Sequence, residues 1–156
     1  MIIERVKILT DKDLDEIEGF SNEAYKKSKY LTVFSKETFR EMWRRLFLMP
    51  TSVLFLLRKD GRVVGWMGGV IAPEIVNDLI NAAEIGFRVG KEGKGGGKEL
   101  LRCLVQWARE QGADRVLVHG WTDLDMESYR AWLEKFGFQH CGFQYALNLT
   151  GRCKSC

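Results

Sequence analysis

The stretch Glu84-Ile85-Gly86-Phe87-Arg88-Val89-Gly90-Lys91-Glu92-Gly93-Lys94-Gly95-Gly96-Gly97-Lys98-Glu99-Leu100-Leu101 decides how the rest of the chain is read. It passes from residues of strand character, 84–89, through a glycine-rich segment into a run where Leu100, Leu101, Leu104, Val105 and Ala108 recur at helical spacing. Lys98, Arg102, Arg109 and Glu110 fall mostly off that face, and Gly112 stands where the helix would end. In a strand–glycine loop–helix unit, backbone N–H groups and a helix N-terminus converge on an anion, most often a phosphate. Lys91, Lys94 and Lys98 add positive charge. The P-loop pattern fails because Glu99, not Ser or Thr, follows Lys98. The dinucleotide fingerprint fails because Leu100 stands where its third glycine belongs.

Working outward, Arg115–Val118 is the next strand, and a helix that returns the chain makes it parallel to the strand at 84–89. Upstream, Val53–Leu57 and Val63–Ile71 flank the turn Lys59-Asp60-Gly61-Arg62 as an antiparallel hairpin. Residues 73–83 read as a short helix or a loop. At the N-terminus, residues 2–9 form a strand, and Thr10 with Asp13 opens a helix carrying Leu14, Ile17, Phe20 and Ala24. A second helix begins at Ser35, carries Phe39, Met42, Trp43, Leu46 and Phe47 on one stripe, and stops at Pro50. Met126, Tyr129, Leu133 and Phe136 mark a last helix closed by Gly137, and Phe138–Leu149 supplies one or two closing strands. The fold class expected is α/β (α+β): a central mixed, mostly antiparallel sheet flanked by helices.

Composition bounds the answer. At 156 residues, 46% of them hydrophobic, the chain is expected to form one domain over 1–156, with 151–156 a short flexible tail. Six of the 16 glycines fall between Gly86 and Gly97, so their excess is local rather than that of a linker. A net charge of +3 makes no nucleic-acid footprint. No uncharged run is long enough for a membrane helix, and no signal-peptide core appears at the N-terminus; a cytoplasmic protein is expected. The four cysteines read as reduced thiols. Cys153-x-x-Cys156 has no second pair to complete a zinc site, and the sequon at Asn148 reads as an idle match. Trp66, Trp107 and Trp121 read as core or near-core residues.

The loop resembles the pyrophosphate-binding motif of the GCN5-related N-acetyltransferase family, Arg/Gln-x-x-Gly-x-Gly/Ala, followed by a helix opening with paired aliphatics. Here it is Glu92-Gly93-Lys94-Gly95-Gly96-Gly97, then Lys98-Glu99-Leu100-Leu101; Glu92 stands where the family has Arg or Gln. The order of elements is similar too, and Trp132-Leu133-Glu134-Lys135-Phe136-Gly137-Phe138 looks like the family's Phe-Tyr-x-Lys-x-Gly-Phe signature. The resemblance implies acetyl-CoA (CoA) as cofactor, bound by Phe87, Arg88, Val89, Glu92, Gly93, Lys94, Gly95, Gly96, Gly97 and Lys98, in a cleft where two parallel strands splay apart. It implies an acyl-CoA-dependent N-acetyltransferase that acetylates a primary amine, on a small molecule or a peptide, by direct transfer through a tetrahedral intermediate. It also allows a homodimer.

In that reading a backbone N–H near residues 87–89 stabilises the oxyanion. An alkyl amine of pKa about 10 must lose a proton before attack. Glu84 resembles the family's strand-borne base, or is an ordinary strand-end carboxylate. Leu133 occupies the position of the family's acidic tyrosine, which leaves Tyr129 one turn earlier as a substitute acid or a core aromatic. His119 is a further candidate, with a structural histidine as the alternative. Asp123, Asp125 and Glu127 either attract a cationic amine or cap the last helix. Lys26, Lys27, Lys29, Arg44 and Arg45 either greet an acidic partner or form a solvated face. The competing reading is a catalytically degenerate CoA-binding or partner-binding protein, supported by Glu92 and Leu133. The amine acceptor is not written in the sequence.

Overall fold

Thr10 and Asp13 cap each other reciprocally: the Asp13 amide donates to Thr10 Oγ1 at 3.1 Å and the Thr10 amide to Asp13 Oδ2 at 3.2 Å. This box starts α1 (Asp11–Lys27) in the computed structural model, which describes residues 1–27, 34–75, 78–119 and 125–141. The remaining elements are β1 (Ile2–Arg5), α2 (Lys36–Phe47), β2 (Ser52–Lys59), β3 (Arg62–Pro73), β4 (Ile80–Val89), α3 (Gly97–Glu110), β5 (Arg115–Leu117) and α4 (Met126–Glu134). A 3₁₀ turn, Lys91–Gly93, lies between β4 and α3.

The described strands form one mixed sheet in the order β1-β2-β3-β4-β5, antiparallel except for the parallel pair β4–β5. The apolar run of β2 is buried on both faces, which is why it reads as continuous rather than alternating. On one face, Leu54, Leu56 and Trp66 pack with Leu14 and Ile17 of α1 and Trp43 of α2. Trp43 and Trp66 meet edge to face, ring centroids 5.4 Å apart. Trp66 also lies against Gly86 of β4, where a side chain would collide with the indole. On the other face Leu100, Leu101, Leu104 and Trp107 of α3 are buried, with Leu104 and Trp107 over Gly69.

The chain divides into two compact units, one of Met1–Ser21 with Lys36–His119 and one of Asn22–Ser35 with Gly120–Cys156. The first carries the sheet, α2 and α3. In the second, Tyr25 packs on Phe34 at 5.4 Å, and Asp125 caps α4 by accepting from the Glu127 and Ser128 amides. Gly61, Gly112 and Gly137 take positive φ at a turn and two helix ends. After α3 the Ala113 amide reaches back to Ala108 O, and after α4 the Phe138 amide reaches Leu133 O.

Three expectations change. Residues 73–83 are neither helix nor loop throughout: β3 runs on to Pro73 and β4 starts at Ile80, because Asn81, Ala82 and Ala83 pair on both sides, with β3 and with β5. The first strand ends at Arg5, and Ile8 is exposed. Met42 is 38% exposed, a position off the stripe that Trp43 buries. The closing strands, Trp121, Asp123, Lys29, the Cys153 and Cys156 pair, the Asn148 sequon and the 151–156 tail lie outside the described residues, apart from 138–141.

Candidate active site

β4 positions the site by what it stops doing. It pairs with β5 only at Asn81, Ala82 and Ala83, yet continues six residues further to Val89 while still paired with β3. At Gly90 the amide donates to Val64 O at 2.9 Å. Since antiparallel pairs alternate, the Arg88 backbone groups also turn to β3, while those of Phe87 and Val89 turn the other way, to the side β5 has left. A bulge sharpens the divergence: Gly68 faces Gly86 and Gly69 faces Glu84, so Ile85 is an extra residue in β4. Among the described residues the parallel pairing ends at Ala83 and Leu117, and β4 runs on with an edge of backbone groups along 87–89.

Beyond Val89 the loop folds tightly. Gly93 donates to Gly90 O at 3.0 Å, Gly96 to Gly93 O at 2.9 Å, and the first α-helical bond of α3 is Leu100 to Gly96 O at 3.1 Å. The amides of residues 97–99 therefore lie ahead of the intrahelical ladder, at the positive end of a helix with no side-chain cap. A Cβ on Gly93 would sit 2.6 Å from Val64 O, and one on Gly96 would run into Leu57, so the loop rests directly on β2 and β3. Gly95 has φ +93° and open space around it. A tight glycine cradle, helix-end amides ahead of the intrahelical ladder, and Lys94 and Lys98 in the same segment fit a pyrophosphate. Glu92 lies at the loop's start, where it pairs with Arg62 at 3.2 Å.

Glu84 is 2% exposed. It faces Gly69 across the ladder and so lies on the side of the sheet that α3 covers. Its Oε2 accepts from the His119 backbone amide at 3.2 Å, and its Oε1 is buried with no hydrogen-bond partner among the described residues. Burial raises the carboxyl pKa; the His119 amide hydrogen bond and the positive charge of Arg88 oppose that rise without cancelling it. His119 Nδ1 lies 3.2 Å from the Glu84 carbonyl oxygen, which accepts from it when that nitrogen carries the proton. Glu84 is thus a buried carboxyl bound to the His119 backbone.

Phe87 reaches the start of α3, its ring 3.0 Å from where a Gly97 Cβ would be. Arg88 turns to the opposite face, that of Trp66, and its Nη1 donates to Phe87 O at 2.8 Å. Tyr129 lies in α4, in the second unit, stacked on Trp132 at 5.7 Å. Asp125 serves as a helix cap. Arg44 pairs with Asp11 at 3.1 Å and Arg45 with Glu41 at 2.7 Å, so these two cations are engaged within the chain. Half-buried Cys103 has its thiol pKa pushed up by burial and by Glu99, the opposite of an activated nucleophile. Among the described residues, no three His, Cys, Asp or Glu side chains group as a metal site, and no helix is long and apolar enough to cross a membrane.

Two features escaped sequence reading. The Arg62–Glu92 pair spans 30 positions and leaves no periodic signal. The bulge at Ile85 has only the glycines around it, Gly68, Gly69 and Gly86, as a hint.

A mixed sheet with one parallel pair, a glycine loop and a helix N-terminus following it defines the class as an α/β domain. The family comparison is specific: the profile of the acetyltransferase (GNAT) family matches residues 16–138, and the chain belongs to that family. Among solved structures it is similar to an aminoglycoside antibiotic 6'-N-acetyltransferase from Acinetobacter haemolyticus (TM-score 0.71, 17% identity, covering 96% of this chain and 99% of that one). It is also similar to a ribosomal-protein-alanine N-acetyltransferase from Brucella melitensis (0.68, 18%, 96% and 100%) and a glucosamine-6-phosphate N-acetyltransferase from Arabidopsis thaliana (0.71, 14%, 96% and 100%). At these identities the likeness is one of fold. No curated protein matches the chain.

Proposed function

We propose that the chain, acting as one domain over 1–156, is a cytoplasmic N-acetyltransferase that moves an acetyl group from acetyl-CoA to a primary amine on a small molecule or peptide. The observation that carries this reading is the run from buried Glu84 along the 87–89 edge into the glycine loop, inside a chain of the acetyltransferase family. Acetyl-CoA supplies an acetyl thioester. The loop amides with Lys94 and Lys98 hold its pyrophosphate, and the Phe87–Val89 edge holds its pantetheine arm and offers an N–H to the thioester oxygen. Glu84 would take a proton from the alkylammonium, directly or through water, freeing the nitrogen lone pair to attack the acetyl carbon; the C–N bond forms before the C–S bond breaks, and the second N–H proton passes to water. Tyr129 protonates the departing thiolate. A thiol of pKa about 8.5 is a tolerable leaving group, so this acid adds to the rate without being essential to it. The raised thiol pKa of Cys103 favours direct transfer over an acyl-cysteine.

Titration calorimetry with acetyl-CoA and with CoA tests the cofactor. Saturable binding is expected, and no heat at millimolar ligand would end the proposal. A thiol-release screen over amino acids, polyamines, aminoglycosides, sugar amines and peptide N-termini then identifies the acceptor. Intact acetyl-CoA across the whole panel would point to a binding protein that has lost the chemistry.

A further inference from the structure

Glu92 sets a problem for a phosphate loop, because a carboxylate at its entrance repels the ligand that its amides and lysines attract. Its Oε2 is 3.2 Å from Nη2 of Arg62, and both side chains are more than half exposed. Arg62 opens β3, which runs antiparallel to β4, so it emerges at the end of the sheet where β4 delivers the loop. An exposed pair of this kind contributes too little to account for the arrangement by stability alone. A guanidinium has five donors in a planar fork suited to phosphate. The contact to Glu92 is Arg62's one ion pair among the described residues.

A concavity of about 350 Å³ opens beside the pair. Phe20, Val63 and Val64 line it, with Arg62, Lys91 and Glu92 also on its wall. Its other carboxylate, Glu16, is already engaged: Oε2 accepts from the Val63 amide at 3.0 Å and lies 3.8 Å from Arg58 Nη1. Arg62 and Lys91 thus outnumber Glu92 as charges left to a ligand on this flank of the loop.

We propose that Arg62 donates to a phosphate of bound CoA and that Glu92 is the tether that holds its guanidinium at the loop. The proposal rests on the CoA reading above. It assigns a binding residue from the β2–β3 hairpin, outside the loop itself.

The test is a double-mutant cycle of CoA affinity by calorimetry on the full chain, with Arg62→Ala and Glu92→Gln separately and together, each variant checked for folding by thermal melting. Arg62→Ala is expected to weaken CoA about 10-fold, the loss of one charge-assisted hydrogen bond; Glu92→Gln alone is expected to weaken it by a smaller factor, and the double variant to bind no more tightly than Arg62→Ala. Arg62→Gln takes its place if the alanine variant does not fold. If Glu92→Gln leaves CoA affinity unchanged or raises it, or if the double variant regains wild-type affinity, Arg62 merely neutralises Glu92 and the proposal is overturned; an Arg62→Ala variant that binds CoA as the wild type does overturns it as well. Dephospho-CoA separates the two phosphate sources: an effect that persists with it assigns the pyrophosphate, and one that vanishes assigns the 3'-phosphate. Failure of the wild-type chain to bind CoA is a different outcome, which removes the cofactor reading itself.

Discussion

The backbone amide of His119 donates to Oε2 of Glu84 at 3.2 Å, across the place where β4 and β5 cease to pair. A carboxylate replaces the next rung of the parallel ladder. The contact ties Glu84 to the chain just past β5 while the carboxyl stays buried, with Oε1 unpartnered among the described residues.

Glu84→Gln should lower kcat/KM about 10²–10⁴-fold at neutral pH, the usual range for a general base. Because the folded-state pKa is raised, wild-type activity should fall on the acid side at higher pH than an ordinary carboxylate would cause. The variant should lose that acid limb, and the gap between the two should narrow toward pH about 10, where the amine deprotonates unaided. CoA affinity should not change. Parallel acid limbs in the two pH–rate profiles would take the base role away from Glu84.

The same residue makes a stability prediction of opposite sign. A carboxyl whose folded pKa lies above its unfolded value stabilises the fold when protonated, below the unfolded pKa, and loses that contribution as pH rises through the folded pKa. Glu84→Gln, neutral at every pH, should therefore melt higher than wild type at pH 7–8, with the advantage shrinking as pH approaches 4. Melting curves across pH 4–8 measure this. A uniform loss at all pH values would mean that the amide does not fit the site.

Glu18 behaves in the reverse way. It is buried in α1, and Lys36 at 2.7 Å and Arg40 at 2.6 Å hold it from α2, in a ladder that also joins Asp15 to Arg40 and Asp11 to Arg44. Those hydrogen bonds lower its pKa, so its contribution is present above the unfolded value and disappears as pH falls through the folded one. Glu18→Gln should cost about 1 kcal/mol at pH 7 and nothing at pH about 2, read by urea unfolding. A cost that does not change with pH would assign Glu18 to packing.

What the sequence made legible was local. Leu100, Leu101, Leu104 and Ala108 declare α3 because one helix face must be apolar, and Thr10 with Asp13 declares the start of α1 because both residues of a capping box lie within one turn. The β3–β4 connection reads as a break in the sequence because of Pro73 and the polar residues after it, whereas pairing with β5 keeps Asn81 extended. The Glu84–His119 and Arg62–Glu92 contacts join residues 35 and 30 positions apart, and sheet register rather than spacing brings each pair together. Arg44 of α2 shows the same limit: from sequence its acidic partner on α1, Asp11, cannot be told from water.

The glycine loop offers a comparison in which space and conformation separate. At Gly93 the backbone is unremarkable, but an added Cβ would press on the Val64 carbonyl oxygen at 2.6 Å, on backbone that cannot rotate away. Gly93→Ala should therefore push the loop off β3, at a cost of about 1–3 kcal/mol in stability, and weaken CoA binding at least about 10-fold. At Gly95 a Cβ meets nothing, and the cost is that of an L-residue at φ +93°, about 1–2 kcal/mol of local strain. The residues around Gly95 can relax into solvent, so Gly95→Ala should disturb thermal stability less than Gly93→Ala while still misaligning the amides that follow it. Its CoA dissociation constant should rise by more than its melting temperature would suggest. If both variants bind CoA as wild type does, the loop backbone is not the phosphate-binding surface.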